Sequence, residues 1–579
     1  MESKNLKCKI CNYSLKKFIS FGKMPVANAY LSREQIEANF QEYFYDMELG
    51  FCENCKMVQM INIVPYEKYI IKDNAGKTNY PFFSSTSSEM EKHFAEIAKE
   101  IEKRFLDYNS KVLEIGSNDG IFLKNFKNRS VIGVEPSSNV AEIALKKEIP
   151  TIVNFFSEDL AEKILNENGK FRAIFSANVT LNIIDLNGYI EGVSKLLDEK
   201  GIFITENPYI MDILENNSYD QIYDEHIWFF SLISLSNFYS IHGLEIFDAE
   251  RSWVHGGSLR VYASKPGIYK KTNRLIKFID EEIEKNIDKI EPYIKFSENV
   301  EDNRKEFIKM LRDLKNKNRK IVGYAAASKG TIVQNYCDIG REVIDYISDS
   351  TTFKQGLYTP GKHIPILSPD IFHDDVKKGN IDYAIIFAWN HQKEIMNKEK
   401  EFLEKGGKFI VHLPKPHIIE NDFHSDLTKK SEIIKGVEIK KLNIFANDQG
   451  YLFEAIRNDD QIYDGKFGQV LVSEIYPGVI KGFHLHKNQT EYTTCIKGNI
   501  KYVIVKETEN QPIINTFIIG EKNPIIIKTP PNVWHGYTPL ENKSASLLYI
   551  MDKPYDINNK DTEERDVFAF GDVWSVKNG

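Results

Sequence analysis

Residues 111–120 read KVLEIGSNDG and residues 131–136 read VIGVEP. Residues 112–115 are a short apolar run, the pattern of a buried strand. Gly116 and Gly120 bracket a tight turn at which side chains would block an approaching ligand. Residues 121–126 resume with helical character, and residues 131–134 form the next strand, with Glu135 at its C-terminal end. An open parallel α/β sheet takes nucleotide-like ligands at that edge, where a carboxylate can accept from both hydroxyls of a ribose. The glycine spacing is not the G-x-G-x-x-G of dinucleotide sites. The plainer alternative is a strand–turn–helix unit with no ligand.

At 579 residues the chain is too long for one core, and about three or four domains are expected. Hydrophobic content of 42% and charged content of 27% are those of a soluble protein. A net charge of −8 argues against nucleic acid as a main partner. No apolar run approaches the ~18 residues of a membrane span, and MESKNLKCKICNY at the start has no apolar segment of a secretory signal. A cytoplasmic protein without membrane partners is expected.

Four of the six cysteines form two C-x-x-C pairs, Cys8 with Cys11 and Cys52 with Cys55. Each pair sets two thiolates on one side of a tetrahedron, so the pattern points to structural zinc. Disulfides are the competing reading and fit a cytosolic protein poorly. Further strands are expected at 173–176, 201–205, 258–263, 320–323, 343–347, 383–387 and 409–413. Between them, Ile276, Ile279, Ile283 and Ile287 recur at helical spacing and predict one or two amphipathic helices bridging domains. From about 436 short strands follow at close intervals, expected at 451–456, 469–475, 490–496, 500–505, 513–518, 524–528 and 546–551, which suggests a β-barrel or sandwich. Tyr223–Asp224–Glu225–His226 follows a strand end near the ligand edge. A histidine between carboxylate and phenol can serve as a base near neutral pH; alone, the tetrad reads equally as a turn with a structural histidine.

The glycine turn with its downstream acid resembles motif I of S-adenosylmethionine-dependent methyltransferases. More specifically, the paired cysteines, FGKMPVANAY, NYPFFSSTSS, LEIGSNDG, SANVTLNIID, YDEH, HGGSLR and GYAAASKG occur in one order. That order resembles the nucleotide-sugar C-methyltransferases, which methylate C3 of a 4-keto-6-deoxy sugar, and covers residues 1 to about 420. The resemblance implies S-adenosylmethionine at Glu114, Gly116, Asn118, Asp119, Gly120, Glu135, Pro136 and Asn178, and zinc at the four cysteines. His226 would remove the C3 proton, with Glu225 and Tyr223 orienting it or touching substrate, and Tyr80 and Asn178 completing the active site. Ser328 and Lys329, at a strand-to-helix turn, would bind the nucleotide diphosphate. Two positions depart from the family: Asn182 stands where a histidine is usual, and Phe82 where a second tyrosine often follows, which fits a sugar without a 3-amino group.

The stretches GVIKGFHLHKNQTEYTTCIKGNI, IKTPPNVWHGYTP and LLYIMDKPYD resemble a cupin of the dTDP-4-keto-sugar 3,5-epimerase superfamily. His484 would be its base and Tyr549 its acid, with Lys481, His486 and His535 about the substrate. Lys481 replaces the family's arginine, and Glu491 stands near its substrate-site lysine. His484-Leu485-His486 also resembles the 3,4-ketoisomerases, and His484, His486 and His535 could instead hold a metal; a non-catalytic domain is a further alternative. The expected architecture is a zinc module (1–75), a Rossmann-like S-adenosylmethionine methyltransferase domain (76–265), a helical linker with a second Rossmann-like domain (266–425) and a jelly-roll cupin (436–579). The expected substrate is a nucleotide-linked, dTDP-type 4-keto-6-deoxy sugar, and pairing through the cupin would give a homodimer. Methyl transfer to oxygen or nitrogen is the alternative chemistry.

Overall fold

The computed structural model describes all residues except 1–5, 69–82, 253, 420–432, 448–449, 509–511, 541–542, 557–559 and 575–579. It divides into two compact units, Met1–Glu420 and Asn421–Gly579. Among the described residues no helix is long and apolar enough to cross a membrane.

Among the described residues the first unit holds three sheets. The N-terminal sheet is antiparallel, in the order Leu15–Pro25, Phe44–Cys52, Val58–Met60, Trp228–Phe229. Its last strand comes from far along the chain, immediately after the Tyr223–His226 tetrad. The second sheet has seven strands, ordered Glu245–Ser252, Ser258–Ser264, Leu197–Pro208, Phe171–Ala177, Lys111–Ile115, Ser130–Val134, Thr151–Ile152. Lys111–Ile115 is parallel to its neighbours on both sides, so strand order reverses beside it. Such a switch point opens a crevice beyond the strands' C-terminal ends. The third sheet, ordered Ile366–Leu367, Ile347–Ser348, Ile321–Tyr324, Tyr383–Ile386, Lys408–Val411, His417–Ile419, is parallel except for its last strand.

Two sequence expectations are corrected here. The helix expected over 121–126 is a single 3-10 turn, Leu123–Asn125. The Asn125 amide donates back to the carbonyls of Ile121 and Phe122, and such local bonds compete with helix extension. Two helices do form where the isoleucine stripe predicts them, but the stripe only partly faces inward: Ile276 and Ile283 are exposed, Ile279 packs on the core, Ile287 is buried beyond the helix Asn273–Glu284, and Leu275 and Glu282 are that helix's buried residues. The Glu282 carboxylate accepts from the backbone of Leu232 and Ile233 and from the Tyr209 hydroxyl. It thus satisfies amides at the start of the helix Leu232–Ile241, which have no intrahelical partner. The following helix, Glu291–Asn316, carries its apolar face on the N-terminal sheet, where Tyr293 stacks on Phe51 at 4.9 Å.

The second unit packs two five-stranded antiparallel sheets as a jelly roll. One runs Glu438–Lys441, Ile525–Thr529, Glu491–Lys497, Ala545–Met551, Gln469–Ile475, the other Ile513–Gly520, Asn499–Lys506, Trp534–Pro539, Lys481–His486, Thr562–Glu564. Tyr502, Phe517, Tyr537 and Leu547 fill the core. The strands Lys481–His486 and Trp534–Pro539, unforeseen in the sequence, carry His484, His486 and His535; each contains a glycine, a residue that reads as turn punctuation.

In the first unit, residues 224–229 are gripped by the N-terminal sheet. Gln59 pairs with Trp228 and Val58 with Phe229, and the Ala27 amide donates to the Asp224 carboxylate at 2.8 Å. Asp224 is buried, and burial followed by the neighbouring Glu225 pushes its carboxyl up to about 7. A carboxyl raised in the folded state contributes stability below its ordinary value, and that contribution fades as pH rises through 7. Over about three pH units at ~1.4 kcal/mol each, the loss is bounded near ~4 kcal/mol. Asp224→Asn, which keeps the acceptor for Ala27, should therefore flatten the fall in melting temperature between about pH 4 and pH 7. An unchanged slope in a calorimetric pH series would show that Asp224 does not titrate in that window.

Candidate functional site

At the switch point the chain leaves Lys111–Ile115 and folds back on the next strand, with the Gly116 and Ser117 amides both donating to the Val134 carbonyl (2.7 and 3.1 Å). Gly116 and Gly120 take φ of 76° and 79°, a region L side chains disfavour. A Cβ at Gly116 would lie 2.1 Å from a Val179 methyl, and one at Gly120 would lie 2.4 Å from Ile149. The glycines are thus required by the protein's own packing as well as by any ligand that approaches the turn. Glu135 stands at the strand end, followed by Pro136, and its carboxylate accepts from the Asn118 amide (3.0 Å) and the Ser137 amide (2.8 Å). Two accepted bonds leave a carboxylate further lone pairs, enough for a ribose.

Around this turn buried acids gather. Burial, then Glu135 and Asp119, hold the Glu114 carboxyl well above its ordinary range, and burial raises Glu135 as well. One oxygen each of Glu114 and Asp119 is buried without a hydrogen-bond partner among the described residues. Such acceptors are costly unless a ligand completes them. The amino and hydroxyl groups of S-adenosylmethionine are donors that fit these unmet acceptors. The segment after residue 82 closes on the turn: Ser84 donates its amide to Asn118, and Ser85 donates amide and hydroxyl to Asp119. Tyr80 and Phe82 lie outside the described residues.

The base candidate lies next to this crevice. Val179 covers Gly116, and the Leu181 carbonyl accepts from the Ile227 amide at 2.9 Å. The loop 178–182 therefore joins the cofactor turn to the tetrad. Asn178, in the left-handed region at φ 55°, donates its amide to the Glu206 carbonyl at 2.7 Å. His226 Nδ1 is 2.7 Å from the Gln221 carbonyl oxygen, which can only accept, so Nδ1 carries the proton and the neutral ring's lone pair is on Nε2. The Tyr223 ring lies 3.9 Å from the imidazole. Glu225 is buried, which raises its carboxyl, and it accepts from Asn28 Nδ2 at 2.8 Å, which lowers it. Asn28 Oδ1 in turn accepts from the Ser328 hydroxyl at 3.0 Å.

Ser328 opens the helix Ser328–Tyr336, directly after the central strand of the third sheet. Lys329 next to it bonds Asn390 at 3.3 Å and lies 4.7 Å over the Trp389 ring; burial lowers its ammonium, against Asp220. Trp389 and His412 both reach one oxygen of the buried Asp220 (2.8 and 3.0 Å). The structure thus brings Tyr223, Glu225, His226, Ser328 and Lys329 to one locality. Asn28, Tyr30 and Asp220 belong there too; the first two lie in the FGKMPVANAY stretch, which the sequence reading leaves without roles residue by residue, and Asp220 lies in none of the quoted stretches.

The four paired cysteines converge. Cys8 and Cys55 sulfurs are 3.6 Å apart, Cys11 and Cys52 3.5 Å, and all four lie within 4.8 Å of one another. A disulfide would require ~2.05 Å, whereas tetrahedral zinc with ~2.3 Å bonds needs edges of about 3.8 Å. The thiols are free and fit zinc. Four sulfurs close the ion's coordination, so the ion is structural. Gln59 Nε2 donates to the Cys8 sulfur at 3.0 Å.

In the second unit His484 and His535 face each other across neighbouring strands, rings 4.0 Å apart. His486 and Glu491 complete a group whose ligand atoms lie within 4.8 Å. Glu491, which the sequence set in place of a substrate lysine, instead lies 3.7 Å from His486 Nε2 and 3.5 Å from His535 Nε2. Burial would raise its carboxyl, yet the histidines, His535 foremost, hold it well below the usual range. Burial and then His535 keep His484 well below the usual histidine value, so its ring is neutral. Tyr549 stands on the other sheet and donates to the Tyr537 hydroxyl; burial, then Tyr537, raises its phenol and keeps it protonated. Lys481 bonds Ser473 at 3.2 Å and approaches the Tyr537 ring.

Comparison with known proteins agrees with this division. Family models match as a putative zinc binding domain over residues 8–69, a methyltransferase domain over 90–248, a C-methyltransferase C-terminal domain over 253–414 and a polysaccharide biosynthesis C-terminal domain over 445–563. The C-methyltransferase NovU of Streptomyces niveus is 30% identical over 417 residues, 71% of this chain and 96% of that protein. A probable low-salt glycan biosynthesis epimerase of Haloferax volcanii is 31% identical over 134 residues, 22% of this chain and 86% of that protein. Among solved structures, a dTDP-4-dehydrorhamnose 3,5-epimerase from Sulfolobus tokodaii is 19% identical, with a TM-score of 0.23, covering 25% of this chain and 85% of that one. Through residue 414 the chain belongs to the C-methyltransferase family, with S-adenosylmethionine and zinc as its cofactors, and a cupin unit follows.

Proposed function

We propose that the first unit methylates C3 of a nucleotide-linked 4-keto-6-deoxy sugar and that the cupin unit epimerises such a sugar at C3 or C5. The observation that carries the first half is the imidazole of His226, its Nδ1 proton fixed on the Gln221 carbonyl, one loop away from the cofactor turn. Bound S-adenosylmethionine supplies the methyl electrophile. His226 Nε2 takes the C3 proton, made acidic by the adjacent ketone, and the carbon keeps the electron pair; that pair would bond the methyl group as the methyl's bond to the cofactor sulfur breaks, the sulfur keeping those electrons. Glu225 and Tyr223 orient the imidazole and stabilise its protonated form, while Asn178 borders the crevice. Glu114, Gly116, Asn118, Asp119, Gly120, Glu135, Pro136 and Asn178 hold the cofactor. The turn at Ser328 and Lys329 receives the diphosphate, where helix amides and a lysine suit an anion. A bound carbon, methyl and sulfur held in line gain most of their rate from orientation.

In the cupin unit, His484 removes a proton beside the ketone and Tyr549, from the facing sheet, returns one to the opposite side; Lys481, His486 and His535 border the sugar. The neutral state of His484 and the protonated state of Tyr549 support this pairing. A second reading rests on the cluster itself. A divalent cation on His484, His486, Glu491 and His535 would neutralise the buried Glu491 carboxylate, and His484 would then have no lone pair left to act as a base. Edge strand Gln469–Ile475, with Val470, Leu471 and Val472 exposed, supports pairing of two chains through this unit, since an unpaired apolar edge is a template for association.

Mixing the full chain with S-adenosylmethionine and a dTDP-4-keto-6-deoxy sugar should give a product heavier by one methyl group, with a C–CH3 and no O–CH3 or N–CH3 signal in the NMR spectrum. His226→Ala should slow this by roughly a hundred- to ten-thousand-fold, and His484→Ala should leave it intact. No methylated product with any 4-keto sugar, despite bound cofactor, would refute the acceptor class. In D2O, His484→Ala and Tyr549→Phe should each abolish deuterium entry at C3 or C5. Metal analysis separates the two cupin readings: one zinc per chain supports His484 as the base, whereas a second divalent ion, lost in Glu491→Ala, supports the metal site. Sedimentation of Val472→Lys should show monomer where the wild type shows dimer.

A further inference from the structure

The zinc-binding sheet does more than hold a metal. Residues 26–31 leave the strand Leu15–Pro25 and run between two other parts of the first unit. Toward one side, the Ala27 amide donates to Asp224 and Asn28 Nδ2 donates to Glu225, both at 2.8 Å. Toward the other, the Ala27 carbonyl accepts from Thr331 Oγ1 at 2.9 Å, Asn28 Oδ1 accepts from Ser328 at 3.0 Å, and the Tyr30 hydroxyl donates to the Ala326 carbonyl at 2.6 Å. Asn28 touches both sides with one side chain. Its orientation follows from its partners: a carboxylate can only accept, so the NH2 faces Glu225 and the carbonyl oxygen is left for the Ser328 hydroxyl. A carboxamide meets both demands at once. Alanine would remove a donor from a buried carboxylate, and aspartate would set a second negative charge against it.

We infer that Asn28 is a positioning residue for methyl transfer, fixing the Glu225 carboxylate beside His226 and tying it to the Ser328 turn. The inference rests on the reading of 223–226 as the acceptor site. Glu225 adjoins the base in sequence, and Ser328 begins the helix whose N-terminus is assigned the acceptor's anionic end. A shift at one end of the Asn28 amide is therefore felt at the other. The zinc-binding module takes part in catalysis through this asparagine, while its closed four-sulfur site stays out of the chemistry.

The test uses the full chain with zinc bound. Wild type, Asn28→Ala, Asn28→Asp, Ser328→Ala and the double variant Asn28→Ala/Ser328→Ala are assayed for methyl transfer to a dTDP-4-keto-6-deoxy sugar, with cofactor affinity by calorimetry and zinc by metal analysis. Asn28→Ala should lower kcat about 10- to 100-fold, the range for a lost hydrogen bond to a charged group, with cofactor affinity and zinc content unchanged. Asn28→Asp, isosteric and repelling Glu225, should fall further, and it decides the matter if the truncation disturbs the loop. Ser328→Ala should raise the acceptor KM, and the double variant should lose less than the product of the single losses. Wild-type kcat and KM in both Asn28 variants would overturn the inference, as would a loss of activity that only tracks a loss of zinc. Inactivity of the wild type itself would instead strike the acceptor-site reading.

Discussion

Two adjacent carboxylates, Asp224 and Glu225, are buried side by side, and much of the first unit is arranged to make that tolerable. A buried carboxylate must be given donors. These come from a segment nearly two hundred residues away, the Ala27 amide and the Asn28 carboxamide. For that segment to be in place, the strand Leu15–Pro25 must lie in its sheet, whose far end is closed by the cysteine cluster. The same sheet accepts Trp228–Phe229 as its last strand. The tetrad is thus held from two sides by the module that carries the four cysteines.

The constraint explains which parts of the protein were legible in the sequence. Residues 111–135 could be read because a parallel strand, its turn and the next strand are contiguous and because apolar runs covered on both faces look alike everywhere. The cysteine pairs could be read because a knuckle is a local object. The part Asn28 plays could not: FGKMPVANAY is visible as a motif, but its asparagine takes its meaning from two partners distant in sequence, Glu225 and Ser328. Glu282 shows the same limit in reverse. The isoleucine spacing implied one buried face, but the helix turned another inward so that this carboxylate could cap Leu232–Ile241.

The cupin unit was legible as a succession of strands but not in the two that matter most for chemistry. Lys481–His486 and Trp534–Pro539 are rich in residues that usually break strands, and they face the interior with polar side chains where a barrel core would be apolar. Glu491 made sense in sequence only as a reversed charge. In the folded barrel it lies among three histidines, and burial, then His535, holds His484 well below the usual histidine value.

On the proposed reading, the two units solve one chemical problem by opposite electrostatics. Removing a proton next to a ketone requires a base that is unprotonated when substrate arrives and can hold the proton afterwards. In the first unit the imidazole of His226 adjoins acidic residues, which stabilise the cation once it forms and so favour a long-lived enolate that can wait for a methyl group. In the cupin unit His484 is crowded by other histidines, which disfavour its cation. A proton taken there is held weakly, and a transfer completed promptly from the opposite face by a protonated tyrosine suits such a base. Carbon–carbon bond formation needs the first arrangement, since the intermediate must survive until alkylation. Epimerisation is served by the second, since its intermediate needs only a new proton.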